Sequence, residues 1–156
     1  MTAIDHNLNK VFASAINYDR DLPQYRTRGG FHQRGSVVTT PTAMLADALD
    51  RVLAQMQQSG FAFAQVAAVS GSGQQHGSAY WATGARARLR GLRGGPDGLV
   101  TQLGPAFSVP DSPIWRDSST TAQCRALEAA VGGPQALADI SGSRAYERFT
   151  ANQVHE

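Results

Sequence analysis

The sequence predicts an α/β fold, and three observations carry that expectation. An apolar stripe recurs at helical spacing over 41–58, where Met44, Leu45, Ala48, Leu49, Val52, Leu53 and Met56 fall on one face. Short β-prone runs flank it, at 11–18 and 65–69. Strands, a helix, a strand, a loop and further helices then succeed one another in the order of α/β domains. At 156 residues the chain suits one domain and can bury a core.

The first strand, 11–18, sets Phe12, Ile16 and Tyr18 on one face, after the turn-rich Asp5-His6-Asn7-Leu8-Asn9. Asp19-Arg20-Asp21-Leu22-Pro23 and the Gly29-Gly30 pair mark an irregular crossing. In the helix 41–58, Thr40 suits the cap, Pro41 the first helical position, and Gly60 a left-handed end. Its stripe packs on a sheet, and its methionines read as core. Val66-Ala67-Ala68-Val69 reads as a buried strand, and Tyr80-Trp81 is again β-prone. Residues 82–105, rich in Gly, Arg and Pro, read as a variable loop. Asp117-Ser118-Ser119-Thr120 offers caps for a helix over 119–131 that Gly132-Gly133 closes. Pro134 opens a short helix to Asp139, ended by Gly142, and a further turn starts at 145–149. The partnerless strand-like start, 1–5, and the helical start just before 152–156 read as cuts within a larger domain.

Between the strand 65–69 and Tyr80-Trp81 lies the loop SGSGQQHG, 70–77. A loop leaving the carboxyl end of a strand is where open α/β sheets bind ligands. Its three glycines let a ligand approach the backbone, while Gln74, Gln75 and His76 offer both donors and acceptors. A polyhydroxylated ligand would use that mixture. The spacing G-x-G-x-x-x-G is not that of a dinucleotide loop, no lysine follows, and Ser78-Ala79-Tyr80-Trp81 does not open a helix that could hold phosphate. A plain strand–turn–strand connection with a solvated histidine stays open as the alternative.

Composition excludes several classes. Hydrophobic residues make up 42%, ordinary for a globular protein, and no apolar run approaches the ~20 residues that span a bilayer. The N-terminus lacks a basic-then-apolar leader. Cys124, the single cysteine, forbids an intrachain disulfide or a thiolate zinc cluster. A cytoplasmic location without membrane attachment is the expectation. The net charge of +2 gives no argument for nucleic acid. Arg86, Arg88, Arg90 and Arg93 cluster, but without interleaved aromatics they read as a solvated loop.

Four separated blocks now agree. YDRDLPQY (18–25), SGSGQQHGSAYW (70–81), SPIWRDSSTTAQC (112–124) and GSRAYERFTANQ (142–153) resemble, in the same order, the eukaryotic-type xylulose kinases of the FGGY carbohydrate kinase family. The resemblance covers nearly the whole chain apart from 82–105. It implies part of a ribonuclease-H-like domain of the actin-like ATPase class, with the first strand absent. It also implies transfer of the ATP γ-phosphoryl group to the 5-hydroxyl of D-xylulose, with Mg2+ as cofactor. His76 matches the family's sugar-contacting histidine, and Arg148 matches an arginine that reaches the same sugar. Gln75 is a second contact or a loop support. Asp117 either orients a sugar-site side chain or caps a helix, and Trp81 either stacks on sugar or packs in the core. Without the resemblance, Arg148 would read as half of a surface ion pair. The family's first phosphate-holding turn is not found here, and its catalytic aspartate and adenine site are placed beyond Glu156. No catalytic residue and no metal ligand are therefore expected in this chain. Two positions depart from the pattern: Arg116 between Trp115 and Asp117, and Ala151 in place of a common glycine before Asn152-Gln153.

Three functions fit. One is a D-xylulose kinase fragment that is inactive alone. Another is a non-catalytic sugar-binding or interaction module derived from the kinase fold. The third is a truncated product with no function.

Overall fold

A computed structural model describes residues 1–154; what is expected of His155 and Glu156 lies outside them. The chain is mixed α/β. In order it forms β1 (Thr2–Ile4), β2 (Lys10–Ala13), α1 (Tyr18–Asp21), β3 (His32–Arg34), β4 (Val37–Pro41) and α2 (Thr42–Gln58). Then follow α3 (Ala85–Arg90), α4 (Leu99–Leu103), β5 (Asp111–Pro113), α5 (Thr121–Ala130), α6 (Pro134–Ser141) and α7 (Thr150–Gln153). These elements fall into two compact units. The first comprises Met1–Gly30, Pro41–Ser72 and Tyr80–Pro110, and the second Phe31–Thr40, Gly73–Ala79 and the chain from Asp111 onward.

In the first unit β1 and β2 form an antiparallel hairpin, pairing Thr2 with Ala13 and Ala3 with Phe12. Asp5 closes its turn: Oδ1 accepts the N–H groups of Asn7 and Asn9 at 2.8 and 2.9 Å. The expected strand 11–18 stops at Ala13. Asn17 Oδ1 accepts Arg20 N–H at 3.0 Å and starts α1 at Tyr18 instead, the usual work of an asparagine cap.

The helix α2 starts one residue late. Pro41 still closes β4, and Thr42 takes the first helical position while its N–H donates to Pro110 O at 2.8 Å. Thr40 is therefore no cap. Gly60 does adopt the left-handed conformation, with φ +73°. Met44, Ala46, Val52 and Met56 are buried, but Leu45 and Leu49 remain exposed, so the packed stripe is narrower than its apolar pattern. Part of that packing comes from α4, whose N-terminus meets Asp50 on α2: the carboxylate accepts Val100 N–H at 3.3 Å. A carboxylate at a helix start is favoured by the backbone dipoles there. A Cβ on Gly98 would stand 2.7 Å from Asp50 Oδ2, so a larger residue there would push this carboxylate aside. The stretch 82–105 thus contains two short helices rather than loop alone.

One expectation fails outright. Residues 66–69 form no strand: a 3-10 turn, Phe63–Gln65, precedes them, and Val69 is 88% exposed. A buried strand exists only where neighbours pair its backbone and cover its faces. Among the described residues no strand pairs with 66–69. The loop 70–77 therefore does not leave a sheet.

Asp19 organises the crossing between α1 and the Gly29-Gly30 pair. Its Oδ1 accepts Thr27 Oγ1 and Gly30 N–H at 2.7 and 3.0 Å, and Oδ2 accepts Gly29 N–H at 2.5 Å. Gly30 has φ +82°, and a Cβ there would stand 2.7 Å from the Tyr18 ring. Only glycine fits. The Thr27 hydroxyl, then the two N–H groups, hold the Asp19 carboxyl below its usual range. The Arg20 guanidinium, with the Asn17 N–H, lowers Asp21 from 3.8 to about 2.

In the second unit β3 and β4 are antiparallel, pairing His32 with Thr39 and Gln33 with Val38, and β5 lies on the other side of β4. The helices α5 and α6 end as their glycines dictate: Gly132, Gly133 and Gly142 have φ of +98°, +116° and +79°. The last helix starts at Thr150, after rather than within 145–149. Among the described residues no helix is long and apolar enough to cross a membrane.

Two outcomes follow for stability. Met44 is fully buried, so Met44→Ala lowers unfolding free energy by about 2–5 kcal/mol, whereas Leu45→Ser, on the exposed side, changes it by less than about 1 kcal/mol; urea denaturation measures both. Asp19 and Asp21 have folded pKa values below their unfolded value of 3.8, so the stability they give is present above that pH and is lost as pH falls toward about 2. The thermal midpoint should drop over that window, and Asp19→Asn should make the drop shallower.

Candidate functional site

The second unit is assembled around Asp117, which is only 4% exposed. Its Oδ2 accepts Val38 N–H from β4 at 2.7 Å, and its Oδ1 accepts Ser119 N–H and Oγ–H at 3.1 and 2.6 Å. Its own N–H donates to Ile114 O at 2.8 Å, and Ser118 N–H donates to Ser36 O at 3.0 Å. One carboxylate therefore fastens the sheet to the segment that leads into α5. Thr120 precedes that helix and points its hydroxyl elsewhere, donating to Glu147 O at 2.8 Å. Thr121 Oγ1 donates to Glu147 Oε1 at 3.2 Å. The turn 145–149 is thereby fixed to the start of α5.

On that turn stands a small aromatic group. Tyr146 and Phe149 meet edge to face with centroids 5.2 Å apart, and Asn152 Nδ2 donates to Tyr146 O at 2.8 Å. The Arg148 guanidinium lies over the Tyr146 ring, 5.0 Å from its centroid. The His76 ring lies against Phe149 at 5.2 Å, tilted by 31°. Thus His76 and Arg148, far apart in sequence, hold to two rings that touch each other.

Backbone geometry brings His76 there. It has φ +63°, a left-handed conformation that costs a histidine energy and needs support from its surroundings. Support comes from both sides: Gly77 N–H donates to Gln74 O at 3.3 Å, and Ser78 N–H donates to Pro113 O at 3.1 Å. Ser78 Oγ also pairs with Thr150 Oγ1 at 2.9 Å. Gln75, by contrast, is exposed.

No known family profile matches the chain. Individual proteins do. The chain is 53% identical to the xylulose kinase of Mus musculus over 99% of this chain and 28% of that protein. It is 48% identical to xylulose kinase 2 of Arabidopsis thaliana over 99% of this chain and 28% of that protein. Against the xylulose kinase of Saccharomyces cerevisiae the identity is 40%, over 97% and 26%. The chain is a homologue of the xylulose kinases.

This xylulose kinase homologue spans little more than a quarter of the length of the curated relatives it matches. Of the residues singled out in its sequence, His76, Gln75, Arg148 and Asp117 all belong to the second unit. Asp117 does not cap α5, which begins at Thr121 after Thr120; its carboxylate ties the sheet to the approaching segment. Trp81 belongs to the first unit, where it stacks on Phe107 at 5.0 Å and stays 50% exposed. Arg116 lies over Phe31 and Trp115, 4.8 and 5.9 Å from their centroids, which occupies its charge on aromatic faces. Cys124 is buried, and burial together with Glu147 raises its thiol pKa, so it packs rather than attacks.

Sequence reasoning missed Phe149 and Tyr146 as the surface that gathers His76 and Arg148. Aromatic residues one and two positions from an arginine were a visible signal, but nothing local says that a ring will meet a histidine from another segment. It also missed Ser78, Thr150 and Gln153 as the attachment of the loop.

Asp117→Ala leaves Val38 N–H and the Ser119 donors without their acceptor. It should lower unfolding free energy by about 2–3 kcal/mol, measured by chemical denaturation. Asp117→Asn, which keeps one acceptor oxygen, should lose less.

Proposed function

We propose that this chain supplies the sugar-binding part of a xylulose kinase, within an FGGY-type domain of ribonuclease-H-like fold. Its ligand is D-xylulose or a related ketopentose, and the whole enzyme transfers the ATP γ-phosphoryl group to the 5-hydroxyl. The observation that carries this reading is the convergence of His76 and Arg148 on the touching rings of Phe149 and Tyr146. A neutral imidazole donates with one nitrogen and accepts with the other, and a guanidinium donates several N–H groups in one plane. Together they match hydroxyl and carbonyl oxygens of a ketose. Gln75, exposed beside His76, adds an amide that can do both. Asp117 supports the site from below by fixing the segment to which the sugar residues attach. Trp81 is left out of the proposal because it belongs to the other unit.

ATP and Mg2+ belong to the proposal for the whole kinase. Among the described residues no three His, Cys, Asp or Glu side chains gather where a cation could sit. No step is drawn through Mg2+, and no catalytic base is assigned here. The recognition groups His76 and Arg148 also suit a second reading, sugar binding without turnover by this chain alone. The proposed location is the cytosol, in keeping with a lone buried thiol.

Titration calorimetry of the 156-residue chain with D-xylulose tests the proposal. Binding is expected, with affinity falling about tenfold or more in His76→Ala and in Arg148→Ala. A cooperatively folded chain that gives no heat with D-xylulose overturns the sugar site. Addition of ATP should yield no turnover in a coupled assay; turnover that His76→Ala abolishes would sink the binding-only reading.

A further inference from the structure

Gln153 is a buried polar residue to which the sugar site as drawn gives no task. It is 9% exposed, and its Oε1 accepts Ser78 Oγ–H at 3.3 Å. Its Nε2 is shut off from solvent and has no hydrogen-bond partner among the described residues. A primary amide carries two N–H donors there, and leaving them buried without an acceptor is unfavourable. Native interiors rarely tolerate such a group unless it has a use. Position suggests the use. Gln153 shares one face of α7 with Thr150, three residues earlier, and Thr150 is the other partner of Ser78. Ser78 directly follows the loop that carries Gln75 and His76, and Phe149, on which His76 rests, directly precedes α7. Gln153 therefore stands one hydroxyl away from the loop that carries Gln75 and His76.

We propose that Gln153 is a specificity-determining residue of the sugar site: Oε1 latches the loop through Ser78, and Nε2 donates to one hydroxyl oxygen of the bound ketopentose. This rests on the sugar-site reading above and adds to it a residue, a direction of hydrogen bonding and a selectivity. One amide then does two tasks. The ligand completes its hydrogen bonding, so binding should also hold the loop more firmly.

The test uses the 156-residue chain, with D-xylulose and its monodeoxy analogues as titrants. Gln153→Glu keeps an acceptor for Ser78 but has no donor. It should bind D-xylulose about three- to tenfold more weakly than the unaltered chain. For one deoxy analogue, the one lacking the hydroxyl that Nε2 reads, the two proteins should bind alike. Amide exchange at Gly77 and Ser78 should be unchanged in Gln153→Glu and faster in Ser78→Ala, and D-xylulose should slow it in the unaltered chain. An equal loss for every analogue, or no loss at all, overturns the role of Gln153 while leaving the sugar site standing. Failure of the folded, unaltered chain to bind D-xylulose overturns the site itself, and this inference with it. Should Gln153→Glu unfold, Gln153→Met, which lacks both the donor and the Ser78 acceptor, replaces it, and Ser78→Ala then serves as the control for the lost latch.

Discussion

Asp117 brings a carboxylate to a place closed to water, where three donors converge on it: Val38 N–H from β4 and both the N–H and the hydroxyl of Ser119. A buried charge is tolerated only when it is paired or hydrogen-bonded in this way. The constraint runs both ways. The carboxylate needs those donors, and Val38 N–H, on a buried residue, needs it. It therefore sets how the sheet meets the segment leading into α5. The start of α5 in turn fixes Glu147 through Thr120 and Thr121, and with it the turn bearing Tyr146, Arg148 and Phe149. The chemistry of the second unit is a consequence, several bonds away, of one aspartate.

The site drawn from this is made of recognition groups. Imidazole, guanidinium and amide groups are suited to reading the oxygens of a sugar, and rings beneath them set their positions. Each of those groups is held through something else: His76 through a strained backbone angle and Phe149, Arg148 through Tyr146, the loop through Ser78. Such indirect holding keeps small polar groups in place without spending their own donors on the protein.

Much was legible in the sequence where a local rule is strong. Gly132, Gly133 and Gly142 end their helices, Gly60 follows α2, and α5 and α6 form within the stretches that these glycines and Pro134 bound. The failures share a cause. Residues 66–69 have the composition of a strand, yet a strand is a property of two chains, and no partner lies beside them among the described residues. Thr40 and Pro41 have the types of a helix start, but pairing in the sheet claims them first. Asp117 sits where a cap would, and a distant N–H on β4 takes its carboxylate instead.

The sequence by itself determined the class of the chain, the identity of its polar loop and the residues that resemble a sugar site. These depend on residue type and short spacing, which a linear reading contains. Only the tertiary structure decided that His76 rests on Phe149, that Arg148 covers Tyr146, and that Ser78 joins Thr150 and Gln153. Apart from the local Arg148–Tyr146 contact, these join segments some seventy residues apart, where no propensity of either segment encodes the other. They exist because satisfying the polar groups around Asp117 leaves few other arrangements.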